Sequence, residues 1–307
     1  MKQEQLTNGI GIFTHLLYYN MKLTLVLSFM LRLIAFCLLS LLAMTSFAQA
    51  PLVVSTHPIY LIAKEITKGV EEPKLLLENQ TGHDVHLTPT HRKLIQDASL
   101  VIWLGKAHEA PLDSVLSKNN NAIALLNAGI LQTLPLRNNR GVAIKDTIDT
   151  HVWLEPNNAV RIGFFIAALR SQQHPEHKTE YWNNAKSFAR EMLIASQQIK
   201  MNGGNKPYWS LHDAYQYLER PLNIKFAGSL TEDPHMAPTV AQIKYLNDTR
   251  PLKIMCLLAE STANPSQYRK LGSVNFQAVD ESFSQQQKFV VAWQSLAKVA
   301  RSCVQKA

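Results

Sequence analysis

Short apolar runs alternate with segments of helical periodicity along most of this chain. The apolar run LVIWL at 100–104 follows a stretch in which Ile59, Ile62 and Ile66 recur at helical spacing. Strands that alternate with helices of this length are typical of βαβ units, which build parallel sheets. The same alternation resumes near residue 208 and continues almost to the end of the sequence. The pattern predicts an α/β protein with parallel sheets.

A long interval of purely helical periodicity divides this pattern into two halves. Pro175 lies within the interval, at the first turn of its longer helix, a position that proline favours. We therefore predict two parallel-sheet α/β lobes, at 49–174 and 205–307. A long rigid helix at 175–204 joins them, and ligands are expected to bind in the cleft between the lobes.

The first 48 residues have the features of an export signal. Lys22 and Arg32 precede the apolar run 33–44, and small residues around Ala48 fit a cleavage site. A membrane anchor is the alternative, although the run is shorter than the roughly 20 residues that a span needs. We predict that 1–48 comprises an upstream extension and a cleaved signal peptide, and that the mature protein is periplasmic.

The distribution of charge bears on the kind of partner, and the cysteines bear on whether the protein has a disulfide. Lys and Arg number 31 against 23 Asp and Glu, which gives a net charge of +8. The basic residues are scattered along predicted helices, which favours a solvated surface over a nucleic-acid track, so we expect no nucleic-acid partner. Outside the signal, the cysteines are Cys256 and Cys303. In an exported protein this pair predicts a disulfide, with two free thiols as the alternative.

Three histidines stand where an apolar run ends. His83 lies in TGHDVH, His151 in DTHVWLEP and His212 in YWSLHDAY. Ligands of parallel sheets bind beyond the carboxyl ends of the strands. Three imidazoles gathered there would form a first-row metal site, and zinc favours nitrogen ligands. Asp280 follows a further strand and can supply an oxygen ligand, although each residue taken alone also fits a solvated loop or a helix start.

These segments resemble those of the metal-binding periplasmic components of ABC importers. HDVHLTPTHRKLIQDASLVIWLG is similar to that family's first ligand segment and the strand after it. HVWLEP resembles its H-x-W-L-x-P segment, and LHDAYQYLE its H-D-A-Y-x-Y segment. The similarity runs in order from Val53 to Cys303 and is greatest with the zinc branch, in which the third ligand is histidine.

The resemblance implies a solute receptor that captures Zn²⁺ in the periplasm and delivers it to a membrane permease. His83, His151 and His212 match the ligand positions, and Asp280 matches the acidic fourth position, where water is the alternative. Glu260 follows another predicted strand and is a candidate acceptor for a ligand histidine. The two cysteines also match a disulfide of the zinc branch. We expect the receptor to be a monomer and not an enzyme.

Two departures from the family and two other classes of function bear on this interpretation. The stretch 137–150 has no histidine, so the His-rich loop that zinc-branch members often carry before the second ligand is absent, and Gly82 stands where some members have Glu.

A receptor for manganese or another divalent metal is one alternative. A secreted zinc hydrolase is the other, because three histidines with an open position also describe a catalytic site, but the sequence has no H-E-x-x-H.

Overall fold

Two four-stranded sheets, each with all its strands parallel, form the framework of the fold. The computed structural model describes residues 22, 24, 27–34, 50–78, 85–199, 205–233, 236–260, 263 and 268–307. The chain divides into two units, Met1–Gln49 and Ala50–Ala307. In the first unit, residues 27–34 are helical. Within the described part of the chain, no helix is both long enough and apolar enough to cross a membrane. The signal peptide stays a prediction.

The first sheet has the strand order β2-β1-β3-β4. Its strands are β1 (Leu52–Val54), β2 (Lys74–Leu75), β3 (Leu100–Trp103) and β4 (Ala122–Ala124). The two central strands, β1 and β3, are buried along their whole length. Their near-continuous apolar sequences are what a parallel strand covered on both faces requires.

The second sheet repeats this arrangement with the order β6-β5-β7-β8. Its strands are β5 (Lys206–Ser210), β6 (Ile224–Ser229), β7 (Met255–Glu260) and β8 (Val274–Val279). In each sheet the first strand along the chain pairs with the second on one side and the third on the other. The predicted fold class, two parallel-sheet α/β lobes, is confirmed.

Helices cover the sheets and connect them. They are α1 (His57–Thr67), α2 (Pro89–Asp97), α3 (Asp113–Leu116), α4 (Pro156–Gln173), α5 (Lys178–Ile199), α6 (Glu219–Leu222), α7 (Val240–Asp248) and α8 (Phe289–Gln305). The longest of these, α5, has 22 residues and is therefore about 33 Å long. It buries Tyr181, Phe188 and Met192 among others along one stripe, consistent with the predicted long connecting helix.

One predicted helix differs from the structure, and a second is described only in part. The sequence pattern favours a helix over 213–219, but a 3-10 turn begins only at Gln216 and α6 follows it. The carboxylate of Asp213 is bound by Arg137, so a tertiary ion pair holds the residue with which the predicted helix begins. Of the helix predicted over 264–271, residues 264–267 lie outside the described residues, and Arg269–Leu271 is a 3-10 turn.

A shared hydrophobic core joins the two sheets. One cluster of buried side chains includes Leu52 and Ile102 of the first sheet and Tyr208 of the second. The predicted disulfide is confirmed: Cys256 of β7 is bonded to Cys303 of α8. Because Ala50–Ala307 forms one compact unit, the lobe boundaries at 49–174, 175–204 and 205–307 stay predictions.

Candidate metal centre

His151 lies just before a 3-10 turn, Val152–Leu154, that leads into α4. Its ring is buried, and Nδ1 lies 2.8 Å from Oδ1 of Asp149. Since a carboxylate only accepts, Nδ1 carries the hydrogen and Nε2 is left with a lone pair. Burial lowers the pKa of His151, but the hydrogen bond and the charge of Asp149 outweigh it and raise that pKa.

His212 lies two residues beyond the end of β5, and its side chain is buried. Its Nδ1 is in contact with Oε1 of Glu260, the last residue of the neighbouring strand β7. Since β5 and β7 are parallel and paired, both strands end at the same edge of the sheet. His212 therefore also has Nδ1 on a carboxylate and Nε2 free to bind a ligand.

The imidazoles of His151 and His212 are neighbours, with ring centres 5.7 Å apart and ring planes tilted by 50°. A Zn–N distance of about 2.0–2.1 Å places each ring centre roughly 3 Å from the ion, so two imidazoles that share one zinc have ring centres about 5 to 6 Å apart. The observed separation lies in this range. The structure therefore brings together two of the three predicted histidine ligands.

Glu281, in the loop after β8, has its carboxylate close to His212. One ligand atom from each of His212, Glu260 and Glu281 lies within 4.8 Å of the others. Burial and the charge of Glu260 raise the pKa of Glu281 above its usual value, although the nearby His212 and His151 lower it. On the other side, the indole Nε1 of Trp153 donates to the main-chain oxygen of Glu281 at 2.8 Å. This bond ties the loop to the segment that carries His151.

Asp280, the carboxylate predicted from sequence, has other partners. Its Oδ1 accepts from the main-chain N–H and the hydroxyl of Ser282, and its Oδ2 accepts from the hydroxyl of Ser284. Its charge also acts on His57, whose pKa burial lowers and Asp280 raises. The side chain of Asp280 thus organises its own loop, and its role as a metal ligand stays a prediction.

His83, the first predicted ligand, lies outside the described residues, and so does Gly82. Two other histidines near these segments, His57 and His86, are described. His86 is exposed, whereas His57 is half-buried and faces the loop of Asp280.

Three residues near the site carried no clear signal in the sequence analysis. Asp149 precedes His151 by two residues, and this D-x-H spacing is a signal that could have identified it. Glu281 directly follows the predicted ligand Asp280, and nothing in the sequence distinguishes the two carboxylates. His108 is buried, with Nδ1 2.8 Å from the hydroxyl of Thr150 and its ring centre 6.4 Å from that of His151. No sequence periodicity indicates that this histidine faces the cleft.

Two parallel-sheet lobes around a shared core, with two carboxylate-supported imidazoles close together, are the arrangement of a two-lobed binding protein with a candidate transition-metal site. The chain belongs to the ZnuA family, described as the periplasmic component A of the zinc-uptake complex, whose family model matches residues 52–286. The resemblance that the sequence motifs carry is thereby confirmed.

Curated relatives and solved structures agree with this membership. The chain is 26% identical to the high-affinity zinc uptake system protein ZnuA of Brucella abortus, over 69% of this chain and 77% of the relative. It is 27% identical to the protein of the same name from Haemophilus ducreyi, over 74% and 82%. Among solved structures, the laminin-binding protein of Streptococcus agalactiae shares the fold with a TM-score of 0.69 at 19% identity, over 83% and 99% of the two chains. A crystal structure of ZnuA has a TM-score of 0.68 at 17% identity, over the same shares.

Proposed function

We propose that this protein binds Zn²⁺ in the periplasm and delivers it to the membrane permease of an ABC importer. The observation that carries the proposal is the pair His151 and His212, whose ring centres are 5.7 Å apart and whose Nδ1 atoms both lie on carboxylates. A histidine that donates its second N–H to a carboxylate has a fixed tautomer and a more basic Nε2, as zinc-binding histidines do.

The ligand set that we propose is His83, His151 and His212 with one carboxylate. Between Asp280 and Glu281, the contacts favour Glu281. Its carboxylate lies with His212, whereas three donors from Ser282 and Ser284 occupy the oxygens of Asp280. Three imidazoles and one carboxylate form a tetrahedral set suited to zinc. Imidazole also accepts Mn²⁺, Fe²⁺ and Cu²⁺, so the metal itself has to be measured.

A binding role fits this site better than hydrolysis. A catalytic zinc keeps a position for water and needs a nearby general base. Here Glu281 would fill the fourth position, and Glu260 is held by His212. If the protein were a secreted hydrolase, its zinc-loaded form would cleave an ester or a peptide. An assay with one substrate of each kind measures this directly.

Competitive zinc titration of the mature protein tests the proposal. We expect His151→Ala and His212→Ala each to weaken zinc binding by more than about 100-fold, because each removes one ligand. His177→Ala is the matched control, since this histidine lies at the start of the long helix and should leave the affinity unchanged. Wild-type affinity in His212→Ala would refute the site, and absence of zinc binding by the wild type would refute the function.

A further inference from the structure

Residues 134–149, which precede His151, form a hairpin that we call the strap. Its two arms are joined by the antiparallel bridge between Arg137 and Ala143 and by hydrogen bonds such as Ile144 N–H to Leu136 O, 2.8 Å. Its base is closed by the N–H of Asp149, which donates to Leu134 O at 2.8 Å. The strap therefore ends at Asp149, the carboxylate that supports His151.

The tip of the strap lies on the second sheet. The main-chain oxygen of Asn139 accepts from the N–H of Ser229, in the edge strand β6, and from the side-chain amide of Gln242, both at 3.1 Å. The guanidinium of Arg140 is stacked 4.5 Å from the ring centre of Tyr245. A segment that follows the first sheet in sequence is thus held by the edge of the second.

Arg137 joins the strap to the segment after β5 by a buried ion pair. Its Nε and Nη2 bind both carboxylate oxygens of Asp213 at 2.7 and 2.8 Å, and Nη2 also lies 2.6 Å from Oε1 of Glu219. The side chains of Arg137 and Asp213 are only 12% and 8% exposed. Paired donors from an Arg fork fix a carboxylate in orientation as well as position.

Asp213 is the residue directly after His212, and it lies near the metal site. The side chains of Asp213 and of its neighbour His212 are only 8% and 6% exposed. A carboxylate in this position is a potential competitor of Asp149 and Glu260 for the imidazoles. With both its oxygens on Arg137, Asp213 does not compete.

We propose that Arg137 is a positioning residue of the zinc site, acting through Asp213. By holding this carboxylate on the strap, Arg137 leaves His151 to pair with Asp149 and His212 to pair with Glu260. The inference rests on the proposed zinc-binding function and extends it to a residue outside the ligand segments. Removing Arg137 leaves Asp213 and Glu219 buried without their cation, so Asp213 would turn toward the imidazoles and change the metal geometry.

The variant Arg137→Met tests this inference, with Arg140→Met as its matched control on the same strap. We measure the zinc dissociation constant, the rate of zinc loss to a chelator, the visible absorption of the Co²⁺-loaded protein and the melting temperature. We expect Arg137→Met to weaken zinc binding about tenfold, the lower end for residues that support ligands, with faster zinc loss and a changed Co²⁺ spectrum. Arg140→Met should match the wild type in all three metal readouts.

A double variant shows whether the effect passes through Asp213. In an Asp213→Asn background, Arg137→Met should add little to the loss of zinc affinity, because the competing carboxylate is gone. If Arg137→Met does not fold, Arg137→Lys takes its place, since a single ammonium keeps the charge but not the two parallel bonds.

The outcomes separate this inference from the proposed function. The positioning role is rejected if Arg137→Met has the same zinc affinity and Co²⁺ spectrum as Arg140→Met. The same comparison applies to Arg137→Lys where that variant takes its place. An equal loss of affinity with and without Asp213→Asn also rejects the positioning role. Failure of the wild type and of Arg140→Met to bind zinc rejects the proposed function itself, and with it this inference.

Discussion

Oδ1 of Asp149 accepts two hydrogen bonds from His151: one from ring Nδ1 at 2.8 Å and one from the main-chain N–H at 3.0 Å. A single carboxylate oxygen therefore fixes both the backbone and the ring of a proposed ligand. The hydroxyl of Tyr217 donates to the main-chain oxygen of Asp149 at 2.8 Å, which holds the supporting residue in place.

Replacing this support should weaken zinc binding. We expect Asp149→Ala to reduce zinc affinity by about 10- to 100-fold, because the ring of His151 loses its fixed tautomer and part of its basicity. Competitive titration with a zinc chelator measures the effect. Asp248→Ala, an exposed aspartate on α7, is the control, and equal affinities of the two variants would contradict the prediction.

The same variant should change the pH dependence of binding. Burial lowers the pKa of His151, but Asp149 outweighs it and raises that pKa above the usual value of an imidazole. A proton therefore competes with zinc for this ring at a higher pH than it would for a free imidazole. Zinc affinity of the wild type should therefore fall in mildly acidic buffer. In Asp149→Ala the fall should begin at a lower pH, which titrations between pH 5 and 8 would show.

The two adjacent carboxylates of the loop after β8 should differ in effect. We expect Glu281→Gln to lower zinc affinity at least as strongly as the loss of a supporting residue, about 10- to 100-fold. Asp280→Asn should cost less affinity but loosen its loop, since Asp280 accepts from Ser282 and Ser284. Titration and melting curves of both variants separate the two roles. A larger loss of affinity in Asp280→Asn would favour Asp280 as the ligand.

Glu109 should make the stability of the protein depend on pH. This side chain is fully buried, and burial raises its pKa to about 7 although the N–H groups of Leu104 and Gly105, which donate to its Oε2, lower it. Between about pH 4.5 and 7 the folded state keeps a proton that the unfolded state has lost. The free energy of unfolding should therefore fall as the pH rises through this window, by up to about 3 kcal/mol.

Glu109→Gln removes this titration and keeps an acceptor for the N–H groups of Leu104 and Gly105. Urea unfolding at several pH values should show that the variant gains stability relative to the wild type as the pH rises from about 4.5 to 7. Glu180→Gln, at an exposed position on α5, is the control. A constant stability difference between Glu109→Gln and the wild type across this range would show that Glu109 does not titrate there.

The disulfide should contribute to stability through the unfolded chain. It closes a loop with a sequence separation of 47 between β7 and α8. In the chain-entropy model such a loop contributes about 4 kcal/mol. Replacing both Cys256 and Cys303 by alanine should lower the free energy of unfolding by up to this amount, measured by urea titration, with zinc binding retained by the folded fraction. An unchanged free energy would contradict the prediction.

A buried ion pair between Arg170 and Glu71 should also contribute strongly to the free energy of unfolding. Arg170 is fully buried, and its Nε and Nη2 bind both carboxylate oxygens of Glu71 at 2.7 Å. Removing one partner leaves an uncompensated buried charge, so Arg170→Met should cost about 3–5 kcal/mol of unfolding free energy. Arg190→Met, at an exposed position on α5, should cost far less in the same urea titration.

Much of the fold follows from local patterns. The apolar runs at 52–54 and 100–103 become the buried central strands of the first sheet because a parallel strand covered on both faces has no polar side to show. The apolar stripe of α5 likewise lies at helical spacing. The predicted disulfide also forms, since Cys256 and Cys303 lie on neighbouring elements.

The sequence by itself determined the alternation of strands and helices, the two histidine segments that the structure describes and the carboxylate Glu260 at a strand end. Only the tertiary structure decided which groups meet. It brought the carboxylates of Glu260 and Glu281 close to His212, whereas Asp280 accepts hydrogen bonds within its own loop. It also paired Arg137 with Asp213. The reason is physical: periodicity records which face of an element is buried, whereas a contact between side chains 76 positions apart depends on how separate elements pack.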